Sequence, residues 1–294
     1  MGCRKQGIAM AFDLNAYLAE RKQRIEAALF AALPDGNRCR QPLADAMAHA
    51  LKAGGKRLRP ILCLAAAESV GGDSEPVMPV ACAVEILHNY TLVHDDLPCM
   101  DNDTLRRGQP TVWYRFGEGI GVLAGDALLT LAFEWLATFP ESRVGVTAAL
   151  VGELARAAGA LGVIGGQVED IQYDGHPTRE GIESVFQHKT ADLFKAACRL
   201  GGIAAGADVA QLNALSAYAD HLGFAFQIQD DLLDAATAKA DARPELSCLD
   251  LMTPDEARAW AERHTAAAVA ALEALPGPTE PMRALVESLQ NRRQ

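Results

Sequence analysis

The strongest constraint on what this chain can fold into is a helical hydrophobic rhythm that starts near Leu14 and recurs almost without interruption. Short Gly or Pro breaks punctuate it at 34–36, 54–55, 71–76, 140, 175–177, 201–206 and 276–278. Counted by these breaks, the chain holds roughly ten helices. No stretch alternates apolar and polar residues long enough for a half-buried strand, and no repeat of fixed period is present. Half of the 294 residues are hydrophobic, which is enough for one large core or two small ones. Alanine and leucine dominate, and a run such as 266–275 consists mainly of small helix formers. The economical reading is one all-α domain over residues 11–294. Residues 1–10 read as a leader or tag-like extension: Met-Gly-Cys resembles a lipidation signal, but Gln6 stands where Ser or Thr is required, which makes Met10 the expected natural start. Segment 235–244 carries no apolar stripe and reads as a loop.

A formal net charge of -11 argues against nucleic acid as a partner, since that binding draws on basic surface. The same field repels phosphorylated ligands, so a site for them requires clustered Lys and Arg or bound metal. The seven cysteines are scattered and include no C-x-x-C pair, which predicts reduced thiols and a cytoplasmic protein. No stretch reads as the roughly 20 uncharged apolar residues of a spanning helix, and the first ten residues lack the apolar core of a secretion signal. No membrane span is expected.

Two acidic clusters stand out. The first is H-D-D-L-P-C-M-D-N-D-T-L-R-R-G at His94 to Gly108, with four carboxylates and two arginines, after a largely apolar run from Val80 to Val93. Pro98 is incompatible with a helix interior, so Asp95, Asp96 and Asp101 belong to a distorted helix end where side chains can converge on a hard cation. An isolated D-D pair can equally be a solvated helix cap. The second cluster is F-Q-I-Q-D-D-L-L-D at Phe226 to Asp234. Helical spacing puts Gln227, Asp230, Asp231 and Asp234 on one face, where like charges repel unless a cation lies between them or the stripe faces solvent. Basic residues cluster at G-G-K-R-L-R-P (Gly54 to Pro60), at Arg106 and Arg107, and at H-K-T (His188 to Thr190). There the Gly pair would let backbone approach an anion while Lys56 and Arg59 supply charge. Together these clusters describe a site for two diphosphates and several metals.

With L-A-G-D-A-L-L-T at Leu123 to Thr130 and G-G-Q-V-E-D at Gly165 to Asp170, the motifs occur in one order from Gly54 to Asp234, and in that order the chain resembles the trans-prenyl diphosphate synthase family, specifically its bacterial and plant farnesyl and geranylgeranyl branch. The resemblance implies an isoprenoid-synthase bundle of helices around a deep central cavity, with the two acidic motifs facing each other across its mouth. It implies magnesium, about three ions per site, held by Asp95, Asp101 and Asp230, with Asp96, Asp231 and Asp234 completing the acidic shell. It places Lys56, Arg59, His88 and Arg107 on isopentenyl diphosphate, and Arg106, Lys189, Thr190 and Gln227 on the allylic diphosphate. It also implies a homodimer, and head-to-tail condensation by ionisation of the allylic partner. Tyr90 and Thr91, five and four residues before Asp95, match the positions that set chain length. An aromatic there resembles a floor, so the expected product is farnesyl diphosphate; otherwise Tyr90 is a buried aromatic facing another helix. The chain departs from the family after the second acidic motif: 235–245 is short, the closing element reads P-E-L-S-C at Pro244 to Cys248 without lysine, and only Lys239 is basic before Arg243. That departure predicts weakened allylic binding or lid closure. Two variants of the activity stay open, a geranylgeranyl or a geranyl synthase, and so does a non-catalytic prenyltransferase-like partner subunit. A terpene cyclase is disfavoured by the second diphosphate site at 54–60.

Overall fold

The computed structural model describes residues 12–34, 36, 39–140, 144–235 and 246–290. The leader expected at 1–10 and, apart from Ala235, the loop expected at 235–244, with Lys239 and Arg243, lie outside the described residues. The fold is all-α. Helix α1 (Leu14–Ala32) begins at Asp13, whose carboxylate accepts from the Ala16 N–H at 3.0 Å. Helices α2 (Leu43–Lys52) and α3 (Leu58–Ser69) follow, then α4 (Met78–Asp95), whose residues are buried along most of its length. That burial is what its near-continuous apolar sequence requires. Around α4 pack α1, α2, α3, α6 (Glu118–Ala137) and α10 (Asp192–Ala205), which form the main core with Leu64, Ile86, Leu87, Leu128 and Leu200. A second cluster joins α3 and α10 to α11 (Val209–Asp234) and α13 (Glu280–Gln290). A third sets Phe186, Ile228 and Trp260 between α9 (Arg179–Val185), α11 and α12 (Pro254–Ala271).

Thirteen α-helices are present among the described residues, against the roughly ten counted from Gly and Pro. The excess comes from short pieces such as α5 (Val112–Phe116), and from the split into α7 (Val144–Ala158) and α8 (Val163–Ile171) at Gly159 and Gly162. The expected break at 201–206 shrinks to its last residue. Helix α10 runs through Gly201 and Gly202 and ends at Gly206, in the left-handed region with φ 88°. A Cβ on Gly201 would lie 2.0 Å from the Cys63 carbonyl oxygen, so this glycine is a close helix–helix contact with α3 rather than a stop signal. One two-residue antiparallel pair, β1 (Leu105–Arg106) with β2 (Gln109–Pro110), forms a hairpin on the bundle.

The expectation of no sufficiently apolar stretch needs correction. Two helical segments, Glu118–Ala137 and Gly145–Ile171, are long and apolar enough to cross a membrane by length and composition. Scattered acids inside them hid this from a search for uncharged runs. In α6 the buried face, with Ala124, Leu128, Ala132 and Leu136, belongs to the bundle core. The six described cysteines are free thiols.

Candidate active site

A cavity of about 1020 Å³ opens between α3, α4, α6, α8, α10 and α11. Its walls are built from Leu92, Leu129, Val163, Val168 and Leu193; four segments bring the motif residues to it, of whose carboxylates Asp95 lines it while Asp101, Asp230, Asp231 and Asp234 stand outside its lining.

The first segment is the end of α4. As Pro98 dictates, the helix stops after Asp95, and the Asp101 N–H donates back to the Asp95 carbonyl oxygen at 2.9 Å. That turn sets Asp101 beside Asp95. Burial, reinforced by the carboxylates of Asp101 and Asp96 and opposed by Lys189, pushes Asp95 up to about 7. A carboxyl that resists ionisation beside other carboxylates marks a donor set short of positive charge. Asp96 points away from the cavity: it is buried and accepts from Nε and Nη2 of Arg106, both at 2.6 Å. Burial still lifts it to about 6, against the pull of Arg106. Arg106 thus braces the turn and does not line the cavity, whereas Arg107 does.

The second segment is the loop 53–57 with the start of α3. Lys56, Arg59 and His88 line the cavity here. Gly55, at φ 130°, leaves room for the Arg107 guanidinium; a Cβ would lie 2.6 Å from Nη1, which donates to the Gly54 carbonyl oxygen. The glycine pair therefore seats an arginine rather than opening backbone directly to an anion. Arg59 stacks over Phe194 at 4.4 Å and donates to His88 Nε2 at 3.3 Å. Burial holds Arg59 down at about 10 and, with nearby arginines, holds His88 well below its ordinary value, so the imidazole is the neutral acceptor. Among the described residues the buried Nε of Arg59 has no hydrogen-bond partner, and neither has Nε2 of Gln167 from the G-G-Q-V-E-D motif. Both residues line the cavity. Orphaned donors beside a concave basic site are what an oxyanion would satisfy.

The third segment carries Lys189 and Thr190, and it is not α-helical: Phe186–Ala191 forms a π-helix. It fits because two glycines yield to it. A Cβ on Gly166 would lie 2.4 Å from the Lys189 backbone nitrogen, and one on Gly223 would lie 2.5 Å from the Cα of Ala191. Lys189 pairs with Asp170 at 2.8 Å; burial acts to lower its pKa, but Asp170 wins and holds it raised.

The fourth segment is the end of α11. Gln227 accepts from the Thr190 hydroxyl at 2.8 Å and donates to Asp231 at 3.2 Å. Asp231 is buried, its carboxylate taken up by the Cys248 N–H at 2.7 Å and the Ser247 hydroxyl at 3.0 Å. Burial nevertheless raises its pKa. Asp231 thereby fastens Ser247 and Cys248 to α11. Asp230 is half-buried and close enough for its charge to act on Arg59, while Asp234 is exposed at the helix end. No three His, Cys, Asp or Glu side chains converge as a complete metal cage among the described residues. A partial set of hard oxygen donors on both rims nevertheless suits magnesium, which shares its coordination between one or two carboxylates and ligand phosphates.

Sequence reasoning gave no role to Gln167, Asp170, Gly166 or Gly223, although the first three lie within or next to quoted motifs. Tyr90 and Thr91 both line the cavity. Tyr90 is nearly buried and meets the His94 ring edge-on at 5.8 Å; burial, with Asp95, pushes its hydroxyl up to about 12. Thr91 spends its hydroxyl on the His88 carbonyl oxygen at 2.8 Å.

The family model described as polyprenyl synthetase matches residues 40–250. The chain is 43% identical over 232 residues to farnesyl diphosphate synthase of Geobacillus stearothermophilus, covering 77% of each. It is 42% identical over 226 residues to geranylgeranyl diphosphate synthase of Cyanophora paradoxa, covering 76% of this chain and 75% of that one. With the large subunit 1 of the heterodimeric geranylgeranyl pyrophosphate synthase of Arabidopsis thaliana it shares 44% over 246 residues, 81% of this chain but only 65% of that longer protein. Among solved structures, an FPP/GFPP synthase from Zymomonas mobilis superposes with a TM-score of 0.84 at 35% identity, covering 94% of this chain and 98% of that one. By its motifs, its helical cavity and these matches, the chain belongs to the polyprenyl synthetase family.

Proposed function

We propose that the chain is a short-chain trans-prenyl diphosphate synthase that condenses isopentenyl diphosphate with an allylic diphosphate and releases farnesyl diphosphate. The observation that carries this reading is the polarity of one cavity, lined by Lys56, Arg59, Arg107 and Lys189, with Asp95 among them and apolar walls of Leu92, Leu129, Val163 and Leu193. Lys56, Arg59 and Arg107 hold the isopentenyl diphosphate, and neutral His88 keeps Arg59 aimed into the site. Lys189, Thr190 and Gln227 hold the allylic diphosphate across from Asp95 and Asp101. Asp95, Asp101 and Asp230 would hold magnesium, which would supply the positive charge that the departing diphosphate needs for the allylic carbon–oxygen bond to ionise. Leu92, Leu129, Val163 and Leu193 then shield the allylic carbocation from water. Tyr90 stands as the floor that ends growth.

Because the relatives carry both farnesyl and geranylgeranyl names, a longer product is the second reading. The reaction domain is taken as 11–294, the location as cytoplasmic and the assembly as a homodimer. The dimer is supported by Val122 and Leu123, exposed on α6. The test is mass spectrometry of products from purified protein given isopentenyl diphosphate, magnesium and each allylic starter in turn. A farnesyl product abolished by chelation is expected. A geranylgeranyl product would overturn the floor, and no product from folded protein would favour a non-catalytic partner subunit.

A further inference from the structure

Helix α1 lies outside every motif discussed above, yet it delivers one side chain to the cavity. Lys22 lines it, as do Gly55, Lys56 and Arg59 of the basic loop. The placement follows from an anchor one turn further along. Glu26 accepts from Arg57 Nε at 3.2 Å, and the fully buried Arg57 side chain donates to Glu85 at 2.6 Å. Arg57 sits directly after Lys56, with its backbone held at φ 52°. A residue four positions before Glu26 occupies the same helix face, so the Glu26–Arg57–Glu85 chain turns Lys22 toward the basic loop.

The other α1 cations are engaged elsewhere. Arg21 pairs with Glu68 at 2.6 Å and Arg24 with Glu20 at 3.1 Å. Lys22 makes no ion pair or hydrogen bond among the described residues, and it is half-buried. A chain with a net charge of -11 has carboxylates to spare for a lysine, but this one lines a cavity whose lining also holds Lys56, Arg59 and Arg107. Like charges gathered at the side of a concave site cost free energy unless an anion joins them.

We propose that Lys22 is a further ligand of the diphosphate of isopentenyl diphosphate, contributed by α1 rather than by the motif loops. This rests on the proposed reaction, and it adds a binding residue to the homoallylic side alone. Lys22→Ala should raise KM for isopentenyl diphosphate about tenfold, leaving kcat and the allylic KM within about twofold, while Lys22→Arg recovers most of the loss. Calorimetric titration of isopentenyl diphosphate into the full chain should show the same weakening, with a smaller salt dependence of Kd in the alanine variant. An unchanged isopentenyl KM and Kd, or equal increases for both substrates, would overturn the assignment. If the wild-type chain makes no product with any starter, the proposed reaction fails and the titration alone decides Lys22: weaker binding in Lys22→Ala sustains it, equal binding refutes it.

Discussion

Gly125 in the L-A-G-D motif is the residue on which the position of the first acidic turn depends. A Cβ there would stand 2.0 Å from His94 Nε2 and 2.2 Å from Cδ2, because the imidazole lies directly across α6. Ordinary contact begins near 3.5 Å, so Gly125→Ala must drive the ring back by roughly 1.5 Å. The ring has little freedom to go. Its Nε2 donates to the Val122 carbonyl oxygen at 3.0 Å, and its edge meets Tyr90. Losing that hydrogen bond costs about 1 kcal/mol, and overpacking costs about 1–3 kcal/mol. Replacing an interior helical glycine by alanine returns about 1 kcal/mol. The net expectation is a destabilisation of ~1–3 kcal/mol, read from equilibrium urea unfolding. Activity should suffer more, since His94 immediately precedes Asp95 and a displacement of about 1 Å at a reacting centre can cost ~100-fold in kcat. The control is His94→Ala/Gly125→Ala, in which the new methyl group has space; the double variant should be more stable than the sum of the singles by ~1–2 kcal/mol. Strict additivity, or a Gly125→Ala enzyme as stable and as fast as the parent, would refute the argument.

Two further outcomes follow from side chains already placed. Tyr90→Ala should shift the product from farnesyl toward geranylgeranyl diphosphate, read by mass spectrometry, with the farnesyl pattern unchanged if Tyr90 is merely a packed aromatic. His264 shares a hydrogen bond with His221 at 3.0 Å and stacks on Phe224 at 4.8 Å; burial, then His221, pulls it down to about 4. Above its unfolded value of about 6.5 both states are neutral and the group has no effect. Below that value the unfolded chain takes up a proton that the folded chain refuses, so stability is lost as pH falls from about 6.5 toward 4, by ~1–2 kcal/mol after allowance for solvent screening of a partly exposed ring. His264→Phe should flatten the difference in urea midpoint between pH 7 and pH 5, and an unaltered difference would assign that loss to carboxylates.

The helices and the order of the charged motifs were legible because both are local: periodicity, Pro98 and runs of Asp, Lys and Arg speak for themselves. What was not legible depends on a second chain segment. The π-helix that presents Lys189 and Thr190 requires Gly166 from α8 and Gly223 from α11, neither of which marks H-K-T itself. The pair Gly201 and Gly202 read as a break because their packing reasons lie on other helices: the carbonyl of Cys63 on α3 for Gly201, and Leu215 on α11 for Gly202. The spacing of Gln227, Asp230, Asp231 and Asp234 correctly put them on one helix, yet within that face Asp231 is consumed by Ser247 and Cys248.

That last contact bears on the shortened closing element. Its lack of lysine suggested a lid that fails to close, but the attachment of Ser247 and Cys248 to α11 relies on a hydroxyl and a backbone N–H donating to Asp231, and neither needs a lysine. What is missing is therefore charge, not docking. Among the described cations of the allylic side, Arg106 is committed to Asp96, and Lys189 is shared between Asp170 and the field of Asp95. On the proposed isopentenyl side Arg59, whose Nε has no hydrogen-bond partner among the described residues, lines the cavity together with Lys56 and Arg107 and is held by no described carboxylate within hydrogen-bond reach. Allylic binding in this chain should therefore lean on magnesium far more heavily than isopentenyl binding does. Titrating magnesium downward should raise the allylic KM well before the isopentenyl KM, and a parallel rise in both would place the missing charge elsewhere.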